Sequence, residues 1–212
     1  MHSTEHYSVG CWSYGWGMAD ELIPGPDAPP TDELASAEAS LKILQQVVHG
    51  IASDDLKRQT PCREFDVAAL TDHLLNSITL LGGAADAQLP ERNRDDSVER
   101  QIIEAARPAL DAWHRRGLDG TVPFGDNQAP AQFMVAILSL EFLVHAWDYA
   151  SAINRPIDAP DSLTDYVAAL AQRIITPEGR ARAGFDDPVD VAAHASKLDR
   201  LAAFTGRVPV SG

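Results

Sequence analysis

The chain has 212 residues, 45% of them hydrophobic, and 31 acidic against 17 basic side chains give a formal net charge of −14. That length and apolar content suit one sizeable core and a single domain. So acidic a surface, with no basic stripe to offset it, argues against nucleic acid or an anionic membrane as partner, and no apolar run approaches the length of a bilayer span.

Residues 1–30, ending in IPGPDAPP, read as a leader and Pro-rich linker ahead of a domain over residues 31–212. The leader segment HYSVGCWSYGWG is rich in aromatics, and Met18 offers a second start. No Lys or Arg precedes Lys42, and residues 1–30 hold no apolar segment of the kind a secretory signal needs. Cys11 and Cys62 support neither a disulfide framework nor a four-cysteine zinc site, so the expected location is the reducing cytoplasm.

Thr31 opens the first expected helix, with Asp32 and Glu33 in its first turn, where the helix dipole favours negative charge. Leu34, Leu41, Leu44, Val48 and Ile51 keep a seven-residue rhythm, and Gly50 suits the exit. Asp66 caps a second helix with Val67, Leu70, Leu74, Ile78 and Leu81 on one face. A third runs from about Asp96 to Arg116, bent or interrupted at Pro108 and ended by Gly117. GTVPFGDNQAP is read as a loop with at most a short extended piece. Pro130 starts a fourth helix that reaches Asn154, Leu163 to Ile174 form a fifth, and Leu198 to Phe204 a short sixth before Gly206. The expected fold class is all-α: a four-helix bundle with short C-terminal helical additions.

The fourth helix is apolar nearly all round, which marks it as central, yet it contains Glu141, His145 and Asp148. Glu141 and His145, four apart, project from one face a turn apart, and Asp148 lies beside them. His73 stands at the edge of the buried stripe of the second helix. If those two helices face each other, two imidazoles and a carboxylate converge, which is a common catalytic zinc ligand set with a coordination position left open. Nickel or iron also accepts this nitrogen–oxygen set. The same spacing also suits a plain ion pair of Glu141 and His145 with each other or with a buried Arg, with His73 half-exposed at the surface. Asp148 is the candidate for orienting an imidazole or a bound water, and for a general base among residues none of which is compelling.

Other residues carry plainer readings. Cys62, just before the second helix, is ordinary packing unless the helix dipole activates it. His49 and His114 complement helix C-termini, His194 either lines the pocket or, as the favoured reading, sits at the surface, and Trp113 and Trp147 are core.

TPCREFDVAALTDHLL (residues 60–75) resembles the TPC–WDV–L–HL signature of actinobacterial DinB-like metal-binding proteins, relatives of the metal-binding domain of mycothiol-dependent maleylpyruvate isomerase. LEFLVHAWDYA (residues 140–150) is similar to that family's second signature, and AWHRRGLDGTVPFGDNQAP to the loop between its third and fourth helices. LDRLAAFTGRVP (residues 198–209) resembles its closing motif, so the likeness spans roughly residues 35–210 in order. The resemblance implies a DinB-like four-helix bundle whose metal ligands fall on His73, Glu141 and His145. It also implies a low-molecular-weight thiol, mycothiol in actinobacteria, as cosubstrate of an S-transferase or thiol-assisted isomerase acting on a small molecule. A metal-dependent hydrolase and a non-catalytic metal- or ligand-binding protein are the alternatives, and monomer and homodimer both suit the pattern. Phe65 stands where the family has Trp, Arg63–Glu64 where it has small residues, and Ala146 where it has Gly. The C-terminal domain that completes the isomerase does not follow the closing motif, which weakens that particular reaction as an expectation.

Overall fold

A computed structural model describes residues 25, 27–181 and 184–208. The aromatic segment HYSVGCWSYGWG, with Cys11, and Met18 lie outside the described residues. The elements, in order, are α1 (Glu33–Val48), a single 3-10 turn at Ser53–Asp55, α2 (Val67–Gly83), α3 (Val98–Arg116), β1 (Thr121–Phe124), β2 (Asn127–Pro130), α4 (Ala131–Ala152), α5 (Asp161–Ile174) and α6 (Lys197–Phe204).

The chain is mostly helical but not purely so, which corrects the all-α expectation. β1 and β2 pair antiparallel, with Phe124 opposite Asn127 across the two-residue turn Gly125–Asp126. Gly125 takes φ 58, as the first central residue of a tight hairpin turn requires. Pro123 and Pro130 hide this hairpin from a sequence reading, because proline argues against strand interiors.

Helix starts follow their caps. Asp32 caps α1 by accepting from Ala35 N at 2.8 Å, so it precedes the helix rather than sitting in its first turn. Asp66 caps α2 through Ala69 N at 2.8 Å. Pro108 does not interrupt α3, whose buried residues Ile102, Ala106, Ala109 and Trp113 carry the helix past the missing hydrogen bond. Gly117, at φ 79, ends it. α4 stops at Ala152, where Asn154 turns left-handed at φ 51 and the Arg155 N–H closes back on Ala150 O at 2.9 Å. Gly50 does not have positive φ; the Arg155 guanidinium packs where its Cβ would be.

α4 is the centre of the packing. At 22 residues it is long and apolar enough to pass for a membrane span, contrary to the sequence reading, but 83% of its most apolar window is buried inside the protein. It lies closest along α1, where Ser36, Ala37 and Ser40 keep the contact thin and the Ser36 and Ser139 hydroxyls hydrogen-bond at 2.6 Å. α2 packs against both α3 and α4. The Trp113 indole is fully buried and donates to Leu81 O at 3.1 Å, fastening α3 to α2. Beyond α5, the buried Arg180 donates to Asp186 O and Phe204 O, both at 2.8 Å, and folds the last segment back toward the α2–α4 seam.

Candidate metal centre

Two elements bring His73 to the seam. α2 sets its height, and the TPCREF turn sets its ring plane. Within that turn, the Thr60 hydroxyl donates to Phe65 O at 2.7 Å, and the Gln59 amide donates to Phe65 O at 2.9 Å and Arg63 O at 3.0 Å. So fixed, the Phe65 ring stacks on the His73 imidazole with centroids 5.0 Å apart. On its other side His73 meets the His145 ring edge-to-face at 5.2 Å.

Glu141 lies between the two imidazoles. Its Oε2 is 3.5 Å from His73 Nε2 and 3.4 Å from His145 Nε2. Both distances are too long for good hydrogen bonds, and this buried oxygen has no hydrogen-bond partner among the described residues. Burial opposes ionisation of Glu141, but His145 and His73 outweigh it and hold the carboxyl below its usual range. One donor atom from each of the three residues lies within 4.8 Å of the others. Ligands bound to zinc at 2.0–2.1 Å in a tetrahedron stand about 3.3 Å apart, so the two glutamate–imidazole separations match a shared ion. The triad is compatible with a divalent metal.

His145 is almost wholly buried, and its Nδ1–H donates to Asp148 Oδ2 at 2.9 Å. Nε2 is therefore the nitrogen left for a cation. Burial lowers the imidazole pKa, but Asp148 and Glu141, one at each nitrogen, raise it overall. The surroundings favour positive charge at Nε2, whether proton or metal.

Asp148 is completely buried and does not line the cleft. The Arg207 Nε donates to both its oxygens at 3.2 Å, and Nη2 to Oδ2 at 3.0 Å. Burial raises the Asp148 pKa, yet Arg207 and His145 hold it below the ordinary value. With His145 on one side and Arg207 on the other, it is placed to orient an imidazole and out of reach of a molecule in the cleft.

A cleft of about 600 Å³ opens onto His73, Glu141 and His145. One wall is the turn at residues 61–65, another the apolar Ile137, Leu140 and Val144 of α4, and a third the segments at 184–186 and 205–207. Cys62 is in the first wall, where burial pushes its thiol up to about 11. That matches the unreactive reading of this cysteine.

The other described histidines lie elsewhere. His49 pairs with Glu99 at 2.7 Å and His114 with Glu38 at 2.6 Å, tying α1 to α3, and His194 is exposed away from the cleft. Sequence reasoning missed Arg207. Its signal was indirect: an aspartate inside an apolar helix needs a cation, and the closing motif supplies two arginines. The other, Arg200, donates to Ala193 O at 2.6 Å and Ala195 O at 3.1 Å instead.

No family model matches the chain, and no solved structure does. Two uncharacterized proteins of Mycobacterium tuberculosis, one from each of two strains, are each 24% identical to it over 178 residues. Those residues make up 83% of this chain and 98% of theirs.

Proposed function

We propose that the chain is a DinB-like four-helix metal protein that binds one divalent ion, zinc first among the candidates, through His73, Glu141 and His145. In this reading it uses a low-molecular-weight thiol of the mycothiol kind for S-transfer or isomerisation of a small electrophile. The observation that carries the metal is Glu141 Oε2: a buried carboxylate oxygen with no hydrogen-bond partner among the described residues, held 3.4 and 3.5 Å from two imidazole nitrogens. An unpaired carboxylate in such a place is costly, and a shared cation removes the cost. The thiol comes from the resemblance of residues 60–75 and 140–150 to the family signatures.

A divalent ion supplies a lowered pKa to a thiol or water that binds it. The chain's own residues do the rest. Phe65 and Asp148 hold the two imidazoles in plane, each through its own contact. Ile137, Leu140 and Val144 give the cleft an apolar side that limits water. Asp148, engaged by His145 and Arg207 and outside the cleft, positions and does not exchange protons with substrate.

Elemental analysis of the purified protein beside its His145→Ala variant tests the site. The expected result is about one equivalent of divalent metal in the parent and a large loss in the variant; equal content in both overturns the assignment. Offering the metal-loaded protein an electrophile with and without a small thiol tests the chemistry. Consumption of free thiol is expected, whereas turnover by water alone points to the hydrolase, and a loaded protein inert to both points to simple binding.

A further inference from the structure

We infer that Arg207 is a positioning residue for the metal centre, acting through Asp148 on His145. The inference rests on the metal reading above and adds a residue that lies 59 positions from Asp148, on the segment after α6.

Three observations carry it. First, Arg207 makes a planar fork: Nε and Nη2 together hold both Asp148 oxygens at 3.0–3.2 Å, which fixes the carboxylate rotation as a point charge does not. Second, the oxygen that receives Nη2 is the one that accepts His145 Nδ1–H at 2.9 Å, so the fork sets the direction in which Nε2 faces Glu141 and His73. Third, Arg207 is itself held. Its Nη1 donates to Thr205 O at 3.3 Å, its guanidinium lies 6.0 Å from the Phe185 ring centroid, and Gly206, at φ 88, packs against Asp186 more closely than any Cβ allows.

Fold stability alone does not call for a charged pair here. Buried ion pairs are commonly replaceable by apolar residues of similar size without loss of stability. A charged pair placed against His145 finds its use in that imidazole. The C-terminal segment thereby completes a centre whose ligands all lie on α2 and α4. Trp147 Nε1–H, donating to Asp199 at 2.9 Å, docks α6 on the same helix that carries Glu141 and His145.

The test is a Co²⁺ titration of the metal-stripped full-length chain, read by its visible absorption bands, with Zn²⁺ competition for affinity and circular dichroism for fold. Wild type, His145→Ala, Arg207→Met and Arg207→Lys are compared. Loss of Co²⁺ binding by wild type removes the metal reading and this inference with it. If wild type binds and His145→Ala does not, the metal reading stands and the arginine variants decide the rest. Arg207→Met is expected to fold, to bind Co²⁺ about 10–100-fold more weakly and to show shifted bands, because the imidazole is no longer fixed. Unchanged affinity and bands in Arg207→Met overturn the inference while leaving the metal centre intact. Should Arg207→Met fail to fold, Arg207→Lys decides. It keeps the countercharge without the fork, so weaker binding and shifted bands are expected, and wild-type affinity and bands overturn the proposal.

Discussion

Replacing Glu141 with glutamine separates a metal ligand from a structural ion pair. The side chain keeps its volume and loses its charge. If Glu141 serves mainly as the partner of His145 and His73, removing one member of a buried pair should cost about 3–5 kcal/mol. If it serves an ion, the metal-free variant should lie within about 1 kcal/mol of the parent, since Oε2 makes no hydrogen bond to the described residues and a neutral amide is cheaper to bury. Metal should then cease to stabilise the variant. At free metal 100-fold above the dissociation constant, binding adds about 2.7 kcal/mol. For a chain of this size each kcal/mol moves Tm by about 2–4 °C, so the parent should gain about 5–11 °C. The assay is thermal unfolding of both proteins, stripped and zinc-loaded. A large drop in the stripped variant together with no zinc response in the parent would refute the reasoning, since it would mark the triad as a buried salt bridge.

Three further outcomes follow from burial and packing at particular residues. Burial raises the Cys62 thiol from 9.0 to about 11, so at pH 8 and below its thiolate fraction falls about 100-fold and alkylation slows in proportion. Peptide mapping after iodoacetamide treatment at pH 8, which resolves Cys62 from Cys11, should show this against the unfolded chain; labelling at equal rates would contradict it. Gly82→Ala should cost about 1–3 kcal/mol in urea unfolding, because its new Cβ meets Ala109 Cβ at 2.8 Å across the α2–α3 contact. Gly83→Ala, with nothing within 4 Å, should instead be neutral or stabilising by up to about 1 kcal/mol.

The helices were legible because their signals are local. Val67, Leu70, Leu74, Ile78 and Leu81 recur at helical spacing, and all five are buried. Asp66 announces its cap three residues ahead of the N–H it satisfies. The β1–β2 hairpin was harder to see, since Pro123 and Pro130 argue against strands while the Gly125–Asp126 turn argues for them. Gly50 was read as an exit glycine, yet its lack of a side chain matters for the approach of Arg155, about 100 residues later in sequence and invisible to any local pattern.

The same division runs through the candidate centre. Glu141, His145 and Asp148 share one helix, so 3.6-residue geometry alone places them together. His73 required a guess about which helices face each other, and its ring plane, set by Phe65 across a turn, followed from no spacing. Arg207 was the least legible, although the need for it was implicit in the sequence. α4 is too apolar to leave Asp148 ionised without a cation, and a single imidazole already turned toward Glu141 cannot fill that role and also serve a metal. A buried acid on an apolar helix therefore implies a distant base. Of the two arginines in the closing motif, Arg200 comes before the helix ends and turns back to its own loop, while Arg207 comes just after Gly206, whose left-handed φ directs the chain toward α4.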